Sequence, residues 1–232
     1  RKVQNAERRQ QWESAAPGWA HWEATIDAWM GPATEAMLDM AGIAAGARVL
    51  DLASGAGSQT LRAAPRVGRH GHVVANDIAE GMLRRVRASA RAGGLTNVST
   101  LAGAAEELDL AAESFDAVIC RFGLMLFTAP AQALAASRRA LKSRGKFAAL
   151  VLSAPAANPF LAKPLHVLLR HAGRAAPALG RLRMFALGDA GMMKSVLAQN
   201  GFVEVEERVV AAPLRLPSAA QALVMMQDAF GD

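Results

Sequence analysis

The sequence predicts an α/β chain: a doubly wound, Rossmann-like, mainly parallel sheet with an N-terminal helical lid and a helical insertion after strand 5. Three observations carry that expectation. Short, nearly continuous apolar runs recur at 48–52, 72–76, 98–101, 115–120 and 146–152, as strands covered on both faces do. Segments of helical pattern fill most of the gaps, at 58–66, 80–92 and 131–141, and such alternation means parallel β-α-β units. The first strand also runs into a glycine turn, VLDLASGAGSQT from Val49 to Thr60, from which a helix departs.

The remaining elements follow in order. Residues 3–40 read as two or three helices broken at Pro17-Gly18 and near Gly31-Pro32, and they hold all four tryptophans, Trp12, Trp19, Trp22 and Trp29. After the fifth strand four prolines (Pro155, Pro159, Pro164 and Pro177) surround the amphipathic FLAKPLHVLLRHAG. An insertion there would overlie the carboxyl edge of the sheet, where ligands bind. A helix at 189–200 ends at Gly201, a strand is expected at 202–210, and Ser218 can cap a last helix to about residue 230. The chain thus divides into a helical lid (1–46), a ligand-binding core (47–152), a substrate cap (153–188) and a C-terminal part of the core (189–232).

Composition narrows the function classes. A chain of 232 residues, 52% hydrophobic and 20% charged, buries a real core. One cysteine, Cys120, lies in an apolar run, so no disulfide or zinc framework is available. The first twenty residues lack a signal-peptide core, and no apolar run approaches a membrane span. A cytoplasmic protein is expected, and a homodimer stays open. The chain begins without methionine, as a trimmed longer product would. Its net charge of +6 is spread out, with Arg84, Arg85, Arg87 and Arg91 on one helix and Arg138, Arg139 and Lys142 on or just after another. These read as solvated outer faces of crossover helices. With no tyrosine and no aromatics among the bases, a nucleic-acid stacking platform is not evident, and no nucleic-acid partner is expected.

The ligand is read from the strand tips. Gly55 and Gly57 let the backbone turn tightly and a ligand approach. The second strand ends on Asp77, twenty residues after Gly57, where a doubly wound sheet holds a ribose. A dinucleotide would share that spacing. However, Thr60 stands where the third glycine of a dinucleotide fingerprint belongs, and Asp51 is an acid near where a pyrophosphate would sit. A cationic ligand suits Asp51. S-adenosyl-L-methionine, with its ammonium and sulfonium, suits the D-x-x-x-G-x-G order.

At this point the chain resembles class I S-adenosylmethionine-dependent methyltransferases, and within them the small-molecule group that includes the ubiquinone/menaquinone C-methyltransferases (methyltransferase type 11). The matching blocks are VLDLASGAGSQT, VVANDIAEGMLRRVRASA, AEELDLAAESFDAVICRFGLMLF and RRALKSRGKFAALVLSAPAANPF, with a weaker match through GFVEVEERVV. The resemblance implies that Asp77 holds both ribose hydroxyls and that Ser54, Gly55 and Gly57 line the methionine portion. It also implies that Asp51 and Thr60 help bind the amino-acid end, that Ile78 and Met82 flank the adenine, and that Ala104-Ala105 touch it. Arg121 would lie against the cofactor, facing the substrate cavity. Members often carry Asp or Asn where Ala104 stands, for the adenine amino group, so one hydrogen bond worth roughly 1 kcal/mol is lost. Ser143-Arg144-Gly145 replaces their K-P-G-G, with one glycine left to keep the turn, and the chain ends where members add a final antiparallel strand.

The resemblance implies methyl transfer to a small, aromatic or apolar acceptor, a quinone precursor or secondary metabolite. Phe122, Leu124, Met125, Phe127, Phe160, Leu165 and Met184 lie in segments near the carboxyl edge and are expected to supply a mostly apolar cavity. His21 in the lid and His166 in the insertion are the candidate catalytic bases; no metal is expected. Alternatives are an RNA or protein methyltransferase, a non-catalytic cofactor-binding module of the same fold, and a nicotinamide oxidoreductase. The Pro-Pro-aromatic tetrapeptide of amino-group base methylation is absent after strand 4, where CRFGLM stands.

Overall fold

The computed structural model of the chain describes residues 2–171, 173 and 183–230. Five strands, β1 (Arg48–Leu52), β2 (His72–Asp77), β3 (Val98–Ala102), β4 (Phe115–Arg121) and β5 (Leu141–Leu150), form one sheet in the order β3-β2-β1-β4-β5. Every pairing is parallel. Helices α3 (Ser58–Val67), α4 (Glu80–Ala92) and α5 (Pro130–Ala140) connect the strands. The strand order reverses between β1 and β4, and the crevice over their carboxyl ends is where such sheets bind ligands.

Side chains alternate across the central strands and bury both faces. Leu50, Leu52, Val118 and Cys120 pack on one face with Leu134 of α5 and Leu197 of α7 (Met192–Gln199). Val49, Val73 and Ile119 face Ala63 and Val67 of α3 and Met37 and Leu38 of α2 (Glu23–Met40). Each fully buried Val, Leu or Ile stabilises by about 1.5–3 kcal/mol relative to exposure. Among the described residues no helix is long and apolar enough to cross a membrane.

Three elements differ from the sequence reading. First, α1 (Lys2–His21) runs through Pro17 and α2 through Pro32, and the break falls at Trp22. Backbone bonds from Trp22 N–H to Gly18 and from Ile26 N–H to Trp22 carry the chain across the junction. Packing of α1 against neighbouring helices outweighs the local proline penalty. Second, β5 starts at Leu141, and its register against β4 jumps from Phe115↔Leu141 to Ala117↔Lys146, with Arg144 at φ +65°. The turn expected around Ser143-Arg144-Gly145 survives as a bulge within the strand.

Third, residues 202–210 do not join the sheet; Val203 and Val209 are more than four-fifths exposed. The reason lies further along. Leu214, Leu216 and Met225 bury themselves among Ile26, Met30 and Trp19, Trp22 and Trp29 of the N-terminal helices. That apolar gain draws the chain off the sheet edge, so α8 (Ala219–Phe230) joins the lid rather than the core. Trp19 Nε1 donates to the Ala229 carbonyl at 2.9 Å, Trp22 Nε1 to Asp228 Oδ2 at 2.9 Å, and Trp29 Nε1 to the Ala212 carbonyl at 2.6 Å.

The α1–α8 contact has no room for a side chain at Gly18: a Cβ there would stand 1.8 Å from the Asp228 carbonyl oxygen. Gly18→Val should therefore pry α8 from α1 and cost about 1–3 kcal/mol. Thermal unfolding should shift down, and limited proteolysis should cut sooner between 203 and 218. Wild-type behaviour in both assays would refute this packing.

Candidate active site

A cavity of about 570 Å³ lies above the carboxyl ends of the strands. Its floor begins with the turn after β1, where Ala53, Gly55 and Gly57 all take positive φ (52°, 56° and 96°). The two glycines serve different ends. Nothing lies within 4 Å of where a Gly55 Cβ would be, and Gly55 lines the cavity. A Gly57 Cβ would stand 2.8 Å from Val86 Cγ2, so Gly57 brings α3 close to α4 and does not line the cavity.

Asp77, the last residue of β2, is buried at the cavity wall. Its Oδ2 accepts the Gly55 N–H at 2.9 Å and its Oδ1 the Ala79 N–H at 2.9 Å, which ties the β2 tip to the β1 turn. Burial still pushes its carboxyl above the usual range, against those donors.

Asp51 is wholly buried and does not line the cavity. Thr60 Oγ1 donates to its Oδ2, and Gln59 Nε2 to its Oδ1 at 3.2 Å and to the Ser54 carbonyl at 3.1 Å. Thr60 is therefore turned onto Asp51 rather than into the cavity. Asp51 and Thr60, expected to help bind the amino-acid end, and Gly57, expected to line the methionine portion, do not line the cavity: all three shape the turn from behind, because the strand's alternation points Asp51 under α3. Gln59, which sequence reasoning missed, lines the cavity instead. Both its Oε1 and Ser54 Oγ are buried without a protein partner.

The other expected residues, Ile78, Met82, Ala104, Ala105 and Arg121, line the cavity. The lid closes this end with Trp12 and Trp19, whose rings meet edge to face at 6.3 Å beside Ala56, Ala79 and Met82. Glu106, next in the chain to Ala105, is engaged elsewhere. Its Oε1 accepts the Thr128 N–H at 2.8 Å and Arg8 Nη1 at 3.0 Å, stapling α1 to two strand-tip loops. Burial pushes that carboxyl up, but its own backbone N–H, Arg8 and Thr128 outweigh burial and hold it below its usual range.

The far end of the cavity is largely apolar, with Arg183 among its lining residues and held by the Leu126 carbonyl at 3.1 Å. Phe122, Met125, Phe127 and Met184 line it, joined by Trp29, Leu152 and Leu161. Leu124 is instead core, while Phe160 packs edge-on to Trp29 at 5.7 Å; neither it nor Leu165 lines the cavity. The two candidate bases are not brought to it. His21 is exposed with its ring edge to face on Trp22 at 5.2 Å, and His166 is exposed on α6 (Pro159–His171). Cys120 is buried, its thiol pushed up to about 12 mainly by burial, which removes it as a nucleophile. Among the described residues no cluster could hold a metal.

The outer arginines are less free than the sequence suggested. Arg85 pairs with Glu23 at 2.6 Å, Arg62 with Asp27 at 2.5 Å and Glu35 at 2.7 Å, and Arg87 with Glu80. Carboxylates of α1 and α2 cover part of the face expected to be solvated.

This sheet, its switch-point cavity and its acid-tipped second strand are those of a class I S-adenosylmethionine-dependent methyltransferase. The chain belongs to the ubiE/COQ5 methyltransferase family, whose profile matches residues 28–206. It is 34% identical over 178 residues to the ubiquinone/menaquinone biosynthesis C-methyltransferase UbiE of Yersinia enterocolitica, covering 72% of this chain and 71% of that one. Among solved structures, the arsenic(III) S-adenosylmethionine methyltransferase of Chlamydomonas reinhardtii is 27% identical with a TM-score of 0.51, over 71% of this chain and 54% of that one. A chain of the Haloferax volcanii complex between the Trm112 methyltransferase activator and a methyltransferase covers 94% of each at a TM-score of 0.64. At 18% identity it shares the fold alone. The chain spans little more than half the length of some matched structures.

Asp51 gives the site a pH signature. Burial pushes its carboxyl up to about 7, against Thr60 and Gln59, which pull it down. Because the folded value exceeds the unfolded one, the stability it contributes is full below about pH 4 and is lost as pH rises towards 7. Asp51→Asn should therefore lose about 2–3 kcal/mol less than wild type between pH 5 and pH 8 in thermal or denaturant unfolding of the ligand-free protein. Parallel pH profiles would overturn the assignment of this charge.

Proposed function

We propose that this S-adenosylmethionine-dependent methyltransferase methylates a carbon of a small, apolar, quinol-type acceptor. The apolar far end of the cavity carries the reading, together with the 34% identity to a protein named as a ubiquinone/menaquinone biosynthesis C-methyltransferase.

The residues present fit the cofactor. Gln59 Oε1 is a buried acceptor without a partner, as the methionine ammonium requires, and Ser54 Oγ beside it offers a hydroxyl. Asp77 would hold the ribose hydroxyls through charge-assisted bonds. Ile78, Met82 and Trp12 would flank the adenine. With no polar side chain at Ala104 and Glu106 engaged elsewhere, backbone groups around Ala104-Ala105 would meet the adenine edge, so cofactor affinity is modest. When bound, the cofactor supplies an electrophilic methyl on a sulfonium.

The protein's part is orientation and exclusion of water. Residues of the N-terminal helices (Trp19, Trp29), of α8 (Gln227) and of the insertion (Leu161, Met184) roof the cavity and would act as a lid over both ligands. Nucleic acid is not the acceptor we propose: the acceptor end is apolar, and many outer arginines are already paired with carboxylates.

Asp77→Ala should weaken S-adenosylhomocysteine binding by about 2–4 kcal/mol, with the far-ultraviolet circular dichroism of wild type. Unchanged affinity in calorimetry would sink this site. With methyl-labelled cofactor, the wild type should label demethylated quinols in preference to amines and total RNA. Salt-sensitive labelling of RNA, with none of the quinols, would reverse the acceptor class.

A further inference from the structure

We propose that Arg121 is an anion clasp for the acceptor, so that the substrate is a ring bearing an ionised oxygen, a phenolate or hydroxyquinone. This rests on the methyltransferase reading above and names the chemistry of its acceptor.

Arg121 ends β4, lines the cavity and is 8% exposed. Its Nη1 donates to Thr34 Oγ1 at 3.0 Å and Ser58 Oγ at 3.3 Å, and Ser58 in turn donates to Asp27 at 2.6 Å. Among the described residues no carboxylate lies within 4.0 Å of the guanidinium, and Nε and Nη2 have no protein acceptor. A guanidinium this far from water is costly; Asp51 and Asp27 act on it only from a distance, and with no direct ion pair its cavity side is left to a ligand. Burial brings the guanidinium down to about 10, so it stays protonated at neutral pH.

Its position favours the acceptor over the cofactor. β4 lies two strands from β2, roughly 10 Å away, so Asp77 marks the ribose end while Arg121 stands beside Phe122 and Met125 of the apolar end. The described lining residues also offer no free base. No histidine is among them, and their three carboxylates are engaged: Glu23 by Arg85, Asp77 by two backbone N–H groups, and Asp228 by Trp22. A guanidinium facing the acceptor oxygen favours its ionised form without one. The ionised oxygen feeds an adjacent ring carbon, whose electron pair forms the bond to the methyl. The carbon–sulfur pair stays on the sulfur, and the ring proton leaves to water.

The test uses a hydroxynaphthoquinone ionised at neutral pH and its neutral methyl ether, titrated by tryptophan fluorescence onto protein saturated with S-adenosylhomocysteine. Wild type should prefer the ion by about tenfold. Arg121→Met should lose that preference and keep S-adenosylhomocysteine affinity within about threefold, with the far-ultraviolet circular dichroism of wild type. Arg121→Lys should keep the preference, and Arg121→Gln replaces the Met variant if that fails to fold. Preference surviving in Arg121→Met, no preference in wild type, or a tenfold loss of S-adenosylhomocysteine affinity instead would overturn the clasp. Wild type failing to bind S-adenosylhomocysteine would overturn the methyltransferase reading itself.

Discussion

A buried carboxylate under the first turn of α3 organises the ligand side of this molecule. Asp51 holds Thr60 and Gln59 beneath the helix start, and with that anchor the chain from Ala53 to Gly57 has one way to turn. Gly55 then faces open space, Gln59 presents its carbonyl oxygen, and the Gly55 N–H reaches Asp77 on the next strand. Burying an acid costs several kcal/mol unless it is hydrogen-bonded. Here the hydrogen bonds that offset the cost also set the geometry of the site.

The lid has its own logic. A single helix such as α1 has no reason to sit over a sheet edge unless something fixes both its ends. Near its start, Asn5 and Arg8 reach Glu107 and Glu106; near its end, Gly18 and Trp19 are closed against α8. Trp19 and Trp29 serve both sides, their rings lining the cavity and their indole N–H groups donating to the Ala229 and Ala212 carbonyls, the division of labour an amphipathic ring allows.

Charge is partitioned between outside and inside. Arginines of α3 and α4 are matched by acids on α2, which join the lid to the core by partly exposed pairs of small individual worth. Arg121 alone is carried by a central strand into the cavity. A charge on the surface is screened by water; a charge beside Phe122 and Met125 sits at lower dielectric, where charge interactions are stronger.

What the sequence determined by itself was what short-range chemistry encodes. Apolar runs separated by helical segments specify parallel strands and their crossovers. The glycine turn after β1 and the acid ending β2 mark the cavity edge, because backbone conformation and residue spacing are local properties. That Ala104, Ala105, Ile78 and Met82 line the cavity follows for the same reason: each sits a fixed step beyond a strand tip. Tertiary structure decided the rest. Whether Asp51 faces ligand or helix depends on how α3 crosses β1, and Gln59 became visible only once Thr60 turned inward. The segment 202–210 carries a strand-like pattern but leaves the sheet because Leu214, Leu216 and Met225 find a better apolar partner among tryptophans nearly two hundred residues earlier. Two histidines chosen for their place in the chain stayed in solvent, since the face a helix shows to a cavity is set by packing at long range.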